Sequence, residues 1–450
     1  MRILTKLLRR RFFRDENGAI TPLMLLFVLL IFVVGGVGVD YSYAQKSRSE
    51  LQGAADAAAH AALYVRQEGS AADARAAAVS VVESILPRRQ FGDVLDPNNV
   101  TFGFWDKNSQ TFVIDQNSKE AVLVSASRLA SEGNAVPAFF MRFVGKDSWD
   151  IRAGAVFKTY LPTCFREGFA ADGIVDLQSN NSFTNGFCIH SNTYVSVNSN
   201  NQFTSGTVVS MPDKSNIDLP NSGFETNTGL RSALRDKKYN IRILNRISDI
   251  ADKIQVGDPE YLPTYIVNST VRKIGSNYVD GMEGDEKDRG GEAETFLQAG
   301  HIYTQFCGGG KTLTFKEGTT IRNVVILTNC SFKFGQGVKL ENTILLTTNS
   351  DSRSVFAASG LQIGRDDNCS KGGGAQIVTH GGVRIPADLR LYGGQIIARG
   401  DIRFAANANG IEGASMISGG SISGTSNMTM GFCGSGMEEN FAVPYFQLAK

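Results

Sequence analysis

The feature that most constrains this chain is an uncharged run from Asn17 to Val39. Its segment AITPLMLLFVLLIFVVGGVGV is almost entirely apolar, and a helix of this length crosses the roughly 30 Å hydrocarbon core of a bilayer. A cleaved secretory signal would have a shorter apolar region followed by a small-residue cleavage site. A buried core helix would not follow directly on a cluster of basic residues. The run therefore predicts a retained membrane anchor at residues 18–39.

Charge is distributed unequally around this run. Six basic residues lie before it: Arg2, Lys6, Arg9, Arg10, Arg11 and Arg14. After it come Asp40 and, as the next basic residue, Lys46. Basic residues close to a span stay on the cytoplasmic side, so we expect residues 1–17 in the cytoplasm and the bulk of the chain exported. The net charge of +1 does not indicate nucleic acid as a partner.

The residues after the run predict helices and then a small α+β module. From Asp40 to about Leu86 the chain is rich in Ala and lacks Pro, which favours helix, with a break at Gly69. The Ala stripe either caps the domain of this helix or packs against a second copy of the chain. Residues 88–160 predict a short helix at 136–144 and strands at 99–105, 111–114, 121–127 and 149–157. We expect the aromatic residues of this module to lie mainly in its core.

The N-terminal segment resembles a known family. Residues 10–62 contain a basic leader, an Asp-Glu-x-Gly motif, the apolar span, an Asp-Tyr pair and a Leu-Gln-x-Ala-Ala-Asp motif. The motif residues are Asp15, Glu16, Gly18, Asp40, Tyr41, Leu51, Gln52, Ala54, Ala55 and Asp56. The segment resembles TadE-like and TadG-like proteins of the tight-adherence (Flp) pilus system, loosely as far as residue 160. The resemblance implies a bacterial inner-membrane protein whose partners are pilus-assembly or envelope proteins.

Leu23 separates this sequence from pilin-like members of that system. Gly18 before an apolar helix resembles the cleavage point of prepilin leaders, whose mature chains carry Glu at the fifth position. With Ala19 as the first residue, the fifth is Leu23. The missing carboxylate argues against polymerisation into a fibre and against cleavage at Gly18. It makes TadG-like the better label.

The texture of the sequence changes after Pro162 to short apolar strands separated by Asn, Ser, Gly and Thr. Segments such as VVIL, GVKL, TILL, AQIV and QIIA recur. Three such strands per coil give a period of roughly 20–25 residues, which is typical of a solenoid. Gly permits the corners, and Asn can form ladders from coil to coil. We predict a right-handed parallel β-helix, with a β-sandwich as the alternative.

A different segment interrupts the strand-rich texture. Residues 229–254 are basic and amphipathic with a helical period, and residues 276–296 are charged and rich in Gly. The basic stretch either contacts anionic lipid or polymer, or forms a solvated helix face. We expect an excursion from the β-helix here.

All the cysteines follow the span: Cys164, Cys188, Cys307, Cys330, Cys369 and Cys433. An even number in an exported region predicts disulfides. Separations of 24 and 23 residues equal about one coil, and the spacing of stacked strands suits the Cα distance of a disulfide. The spacing therefore favours Cys164–Cys188 and Cys307–Cys330, which leaves Cys369 with Cys433. The first pair would join a terminal coil, which lacks one neighbour, to the second coil.

Few residues indicate catalysis. Glycosidases need two carboxylates about 5–10 Å apart, and Asp366, Asp367 and His380 faintly resemble the set of polygalacturonases. The Gly-His-Gly order, a distant Arg-Ile-Lys and an upstream Asn-Thr-Asp are all missing. The sequence also has no Walker, dinucleotide-binding or zinc-hydrolase motif and no C-x-x-C. We therefore expect no enzyme, no cofactor and no metal site.

The predicted organisation has seven parts. They are a cytoplasmic leader (1–17), a transmembrane helix (18–39), a TadE/TadG-like helical and α+β module (40–160), the first β-helix coils (161–225), a helical and charged insert (226–298), the main β-helix (299–436) and a tail (437–450). The predicted function is that of an anchored periplasmic assembly protein of a Flp-type pilus system, which presents a β-helix surface to pilus or envelope partners. The alternative is a membrane-tethered β-helical protein that binds or cleaves polysaccharide, with cell-wall polysaccharide as its partner.

Overall fold

The computed structural model describes residues 20–184, 186–274, 297–308, 312–424 and 426–449, except for the side chains of 407–409. The leader with Asp15 and Glu16, Gly18, and the charged segment 276–296 lie outside the described residues. The chain divides into two compact units. The first comprises Met1–Tyr160 and Pro444–Lys450, and the second comprises Leu161–Val443.

The described helices and strands are numbered in chain order. The α-helices are α1 (Ile20–Arg66), α2 (Ala71–Ile85), α3 (Arg88–Phe91), α4 (Thr163–Arg166), α5 (Leu230–Ala233) and α6 (Ile243–Gln255), and 3₁₀ helices span Pro97–Asn99, Ala130–Glu132, Met141–Val144 and Lys214–Asn216. The strands are β1 (Val100–Asp106), β2 (Thr111–Ile114), β3 (Ala121–Arg128), β4 (Val136–Pro137), β5 (Ser148–Trp149), β6 (Ile151–Tyr160), β7 (Gly168–Ala171), β8 (Val175–Leu177), β9 (Ser182–Phe183), β10 (Cys188–Ser191), β11 (Val195–Val197), β12 (Gln202–Phe203), β13 (Val208–Met211), β14 (Leu234–Asp236), β15 (Asn268–Lys273), β16 (His301–Gln305), β17 (Thr312–Phe315), β18 (Thr320–Thr328), β19 (Ser331–Phe334), β20 (Lys339–Thr347), β21 (Val355–Ala357), β22 (Gln362–Ile363), β23 (Ala375–Thr379), β24 (Val383–Tyr392), β25 (Gln395–Ala398), β26 (Ile402–Glu412), β27 (Ser415–Ser418), β28 (Ile422–Gly424), β29 (Thr429–Gly431) and β30 (Tyr445–Leu448).

Helix α1 is continuous over 47 residues and changes character along its length. Its first half is apolar and largely exposed, whereas its second half buries one face at a spacing of three to four residues, as an amphipathic helix does. The buried face includes Leu51, Ala55, Ala59 and Leu63. Helix α2 then begins with a capping box formed by Ser70 and Asp73.

The sheet of the first unit is antiparallel, with the strand order β2-β1-β3-β6-β30. The turn between β1 and β2 is held by Asp106, whose carboxylate accepts hydrogen bonds from the N–H groups of Asn108 and Ser109. Phe102 and Val122 of this sheet share one buried core with the Ala stripe of α1. The stripe therefore packs within its own unit, which was the first of the two alternatives.

The segment 136–144 differs from its prediction. It consists of the two-residue strand β4, a turn, and a 3₁₀ helix at Met141–Val144 instead of an α-helix through the whole range. The expectation that the aromatic residues of the module 88–160 lie mainly in its core does not hold in this segment, because Phe139, Phe140 and Phe143 are exposed. Residue type alone did not reveal this, since Phe102 in the same unit is fully buried.

The second unit is a parallel sheet of 23 strands within the described residues. Its strands pair with strands about 20 residues away: Gly168, Cys188 and Val208 occupy equivalent positions in β7, β10 and β13. The strands β8 and β9 pair in the same way with β11 and β12. Each repeat thus contributes three short strands to three separate columns.

Apolar side chains at equivalent positions form a continuous core column. Along the first column of strands these are Tyr303, Ile326, Leu345, Ile377, Ile396, Met416, Phe169, Ile189 and Val209. All of them are buried. One repeat alone would leave this face exposed to water, so each repeat requires neighbours for stability.

The repeats do not stack in chain order. Strand β27, near the end of the unit, pairs with β7, which pairs on its other side with β10. The first column therefore runs β15-β16-β18-β20-β23-β25-β27-β7-β10-β13-β14. The expectation that the first repeat is terminal is wrong, because β7 has a paired strand on each side.

The segment between β14 and β15, here called the connector (residues 237–267), leads from one end of this column to the other. Its helix α6 buries Ile243, Ile247, Ile250 and Ile254, so the basic stretch packs by an apolar face. The Arg399 side chain donates hydrogen bonds to Leu244 and Ser248 of this helix. The range 226–298 also supplies two strands of the sheet, β14 and β15.

Candidate functional site

The exposed half of α1 is the first candidate functional element. Its side chains from Ile20 to Val34 are exposed, and α1 is long and apolar enough to cross a membrane on grounds of length and composition. The helix continues without interruption into the packed half, which begins near Asp40. The apolar segment is therefore joined to the first unit by helical backbone.

Asp40 marks this transition and is fully buried. Its carboxylate accepts three hydrogen bonds, from the N–H groups of Phe139 (2.9 Å), Phe140 (2.8 Å) and Met141 (2.6 Å). Burial acts to raise the pKa of Asp40, but the three N–H donors outweigh burial and hold the pKa below its ordinary value. Asp40 thus ties the start of the packed half of α1 to a loop about a hundred residues away.

Gly36, one helical turn before Asp40, lets the same loop approach the helix. A Cβ atom at position 36 would lie 2.7 Å from the Cβ of Phe140, which is too close for any side chain. One turn after Asp40, Tyr43 makes an edge-to-face contact with Phe139 at a centroid distance of 5.3 Å. The helix therefore holds the loop through three successive turns.

The remaining motif residues of α1 also join it to the first unit. Leu51, Ala54 and Ala55 are fully buried. The Gln52 amide donates to the carbonyl of Gly154 at 3.0 Å and to the Asp56 carboxylate at 2.8 Å. Tyr41 differs from these residues because its side chain is exposed. Among the described motif residues, Tyr41 is therefore the one available to a partner.

Three disulfides link the second unit. They join Cys164 to Cys188, Cys307 to Cys330 and Cys369 to Cys433, with Cα distances of 4.6, 5.3 and 5.8 Å. These are the pairs that the spacing favours. Cys369, Cys433 and Glu412 also place three potential metal-ligand atoms within 4.8 Å of one another, but the disulfide occupies both sulfurs.

Glu167 joins the beginning of the second unit to its end. Its buried carboxylate accepts hydrogen bonds from the N–H groups of Cys433 and Gly434, both at 2.6 Å. Burial raises the pKa of Glu167 above its ordinary value, although the two N–H donors lower it. Sequence patterns did not reveal this contact, because the partners lie more than 260 residues apart.

The weak catalytic candidates are not brought together. Asp367 accepts a hydrogen bond from Arg365 at 2.8 Å. Burial, assisted by the nearby charge of Asp366, raises the pKa of Tyr392. His380 instead lies beside Ser248 at 3.4 Å. Tyr392, beside Asp366, comes just before β25, whereas His380 comes just after β23. Because β23 and β25 are paired in parallel, Tyr392 and His380 lie at opposite ends of these strands.

A cavity of about 480 Å³ lies on the second unit. Gln376 and Asn440 line it, and the Gln376 amide nitrogen donates to the Asn440 carbonyl oxygen at 3.1 Å. The other amide atoms of both side chains, Gln376 Oε1 and Asn440 Nδ2, are buried without a hydrogen-bond partner among the described residues. The cavity wall thus holds one unpaired acceptor and one unpaired donor.

These features define a protein with one long N-terminal helix, apolar enough to span a membrane, and a disulfide-linked parallel sheet of many strands. Residues 168–434 match the family described as "Domain of unknown function (DUF7867)", and the chain belongs to that family. Residues 18–80 match the family described as "Putative Flp pilus-assembly TadE/G-like", in agreement with the resemblance of the N-terminal segment. No curated protein and no solved structure matches the chain.

Proposed function

We propose that this protein is a membrane-anchored periplasmic assembly protein of a Flp-type pilus system. The observation that carries the proposal is the TadE/G-like match at residues 18–80, which covers α1 and most of α2. The apolar half of α1 anchors the protein in the bacterial inner membrane, and Leu23 keeps it a permanent anchor instead of a processed pilus subunit. The protein acts by binding partners and not by catalysis.

The proposed orientation has the N-terminus in the cytoplasm and both folded units in the periplasm. Its support is the cluster of basic residues before the span and their scarcity directly after it. Three disulfides beyond the span suit an oxidising compartment. A fusion of alkaline phosphatase to the C-terminus of the full chain tests this, because the enzyme is active only outside the cytoplasm. An inactive but intact fusion would contradict the orientation.

In this proposal the 23-stranded parallel sheet is a right-handed β-helix that presents a repetitive surface to envelope or pilus partners. The three columns of parallel strands, a repeat of about 20 residues and a continuous apolar core column support this fold. A β-sandwich, the alternative, would pair its strands mostly antiparallel. The sheet of the second unit contains only parallel pairs among the described strands.

Co-purification tests the assembly role. The full-length protein, extracted from native membranes after brief cross-linking, should enrich components of the Flp-pilus assembly machinery, identified by mass spectrometry. An unrelated single-span membrane protein expressed at the same level is the control. Equal recovery of pilus-assembly components with both baits would contradict the proposed function.

A second candidate function is binding of envelope polysaccharide. It is favoured by the cavity at Gln376 and Asn440, whose unpaired acceptor and donor suit a ligand that is rich in hydroxyl or amide groups. Binding of soluble cell-wall fragments to the full chain in detergent, compared with a Gln376→Leu variant, tests this candidate. Equal binding by both proteins would exclude this cavity as the site.

A further inference from the structure

The loop that Asp40 holds carries a cluster of exposed apolar side chains. This loop, residues 138–146, is here called the aromatic loop. Its exposed fractions are 49% for Phe139, 42% for Phe140, 85% for Phe143 and 65% for Val144. Four large apolar side chains in six residues are too many to be explained as scattered surface residues. Such a cluster indicates a surface that contacts another molecule or a membrane.

The aromatic loop lies at the level where the apolar run of α1 ends. It contacts α1 at Gly36, Asp40 and Tyr43. Val39 is the last residue of the uncharged run, so Gly36 is about 5 Å inside that run along the helix axis. A bilayer that surrounds residues 20–39 therefore has its outer boundary at the height of the loop.

The polar residues of the loop also suit a bilayer boundary. Arg142 and Lys146 are exposed in the same loop, next to one acidic residue, Asp147. The Lys146 ammonium lies 3.6 Å from the centre of the Trp149 ring, so a cation and an indole are in direct contact at this place. Aromatic rings and basic side chains on apolar stems are the residues that proteins place at membrane interfaces.

We propose that the aromatic loop is a second membrane contact, with Phe143 and Val144 inserted among the lipids at the periplasmic boundary and Arg142 and Lys146 at lipid phosphates. This inference rests on the proposed anchor. The bilayer is favoured over a second copy of the chain because the loop is fixed directly to the helix at the height of the boundary. The loop, together with the span, fixes the tilt and rotation of the first unit on the membrane.

Depth-dependent fluorescence quenching tests this contact in the full chain. The chain is reconstituted into lipid nanodiscs with bromine atoms either near the headgroup or near the end of the acyl chain. Phe143→Trp reports on the loop, because an 85% exposed side chain can be replaced without disturbing the core. The signal from the native Trp105 and Trp149 is subtracted with the unmodified protein.

A matched control is available in the same unit. Ile114 is 66% exposed, and its strand leads to Gln116 and Asn117, whose carbonyls bind Arg66 at the far end of α1. Arg66 lies about 39 Å from Asp40 along the helix. Ile114→Trp therefore reports on another largely exposed position, away from the membrane. Phe32→Trp, within the apolar run, reports on insertion of the span itself.

The inference predicts that Phe143→Trp fluorescence is lost with bromine near the headgroup and less with bromine at the chain end, whereas Ile114→Trp keeps its fluorescence in both lipids. Quenching of Phe32→Trp without quenching of Phe143→Trp would overturn the loop contact and leave the anchor intact. A blue shift of Phe143→Trp without quenching would mean that protein covers the loop, and would also overturn the inference. If neither Phe32→Trp nor Phe143→Trp is quenched, the anchor and the loop contact are overturned together.

Discussion

At the scale of single residues, buried polar side chains connect segments that are distant in sequence. Asp40 receives three N–H groups from the aromatic loop, and Glu167 receives two from residues 433 and 434. A buried N–H group without an acceptor costs about 1–3 kcal/mol, so such a carboxylate stabilises one loop conformation over others. Buried Asn side chains likewise accept hydrogen bonds from N–H groups of neighbouring repeats.

The buried His190 predicts a loss of stability in acid. It is hydrogen-bonded to Ser210 and Asn192, and burial lowers its pKa to about 4. Nearby Asp172 opposes this shift and Lys237 assists it. In the unfolded chain the imidazole of His190 has a pKa near 6.5. Between pH 6.5 and 4 the unfolded chain therefore binds more protons at this position than the folded chain does. The free energy of unfolding should therefore fall as the pH is lowered from 6.5 to 4, by up to about 3 kcal/mol.

Urea unfolding of the detergent-solubilised protein at several pH values measures this slope. His190→Gln should reduce the dependence of the free energy of unfolding on pH. The readout is this slope and not the absolute stability. His60→Gln, at an exposed position of the first unit, serves as the control and should leave the slope unchanged. An unchanged slope in His190→Gln would show that other groups cause the acid sensitivity.

The Asn ladder predicts a second effect. The side-chain oxygen of Asn201 accepts a hydrogen bond from the backbone N–H group of Asn181 at 2.9 Å. Its side-chain nitrogen donates to the side-chain oxygen of Asn227 at 3.1 Å. Asn201→Ala leaves the buried N–H group of Asn181 without an acceptor and should cost about 1–3 kcal/mol. Native-state hydrogen exchange at β9 and β12 measures this cost. Asn198→Ala, at an exposed position, should change it by less than about 0.5 kcal/mol.

At the scale of elements, disulfides and short helices fix the ends of strands. The Cys164–Cys188 disulfide ties α4 to the start of β10, and α5 covers the core next to β13 with Leu230 and Ala233. The connector helix α6 buries its Ile face and accepts hydrogen bonds from Arg399, which follows β25. Elements with few apolar residues of their own are thus held by covalent links or by a single amphipathic face.

Removal of one disulfide should act locally. Cys188→Ser should leave Cys164 as a labelled free thiol, while Cys307–Cys330 stays oxidised. In the chain-entropy model a loop of 24 residues contributes roughly 3 kcal/mol, so hydrogen exchange at β7 and β10 should increase. Thiol labelling with peptide mapping checks the pairing, and Cys307→Ser should free Cys330 instead. A thiol at Cys164 in the unmodified protein, or a free Cys433 in the variant, would contradict the pairing.

At the scale of the whole molecule, the second unit closes its sequence on itself. The last repeat pairs with the first, since β27 and β28 are hydrogen-bonded to β7 and β8. Both free ends of the stack are therefore formed by segments from the middle of the sequence, near β14 and β15. Folding of this unit requires contacts between residues about 250 positions apart, which favours slow folding.

Met416 tests this closure because it lies between Ile396 and Phe169 in the core column. Met416→Ala should cost about 2–5 kcal/mol through the cavity that it leaves. Hydrogen exchange should then increase both at β25 and at β7, although these strands are distant in sequence. Met211→Ala removes an equally buried side chain and should instead affect β10 and β14. An effect of Met416→Ala confined to β25 would contradict the closure.

The sequence by itself determined the apolar span, the strand at 111–114, the Ala-rich helices and the cysteine spacing, because each depends on local hydrophobic pattern or on simple distance along the chain. Only the tertiary structure decided which repeat lies beside which. Every repeat presents similar apolar residues and the same backbone hydrogen-bonding groups, so periodicity specifies that each repeat needs neighbours without specifying their identity. The tertiary structure also decided the exposure of Phe143, since an aromatic residue has the same pattern whether it faces a core or, as we propose, a bilayer.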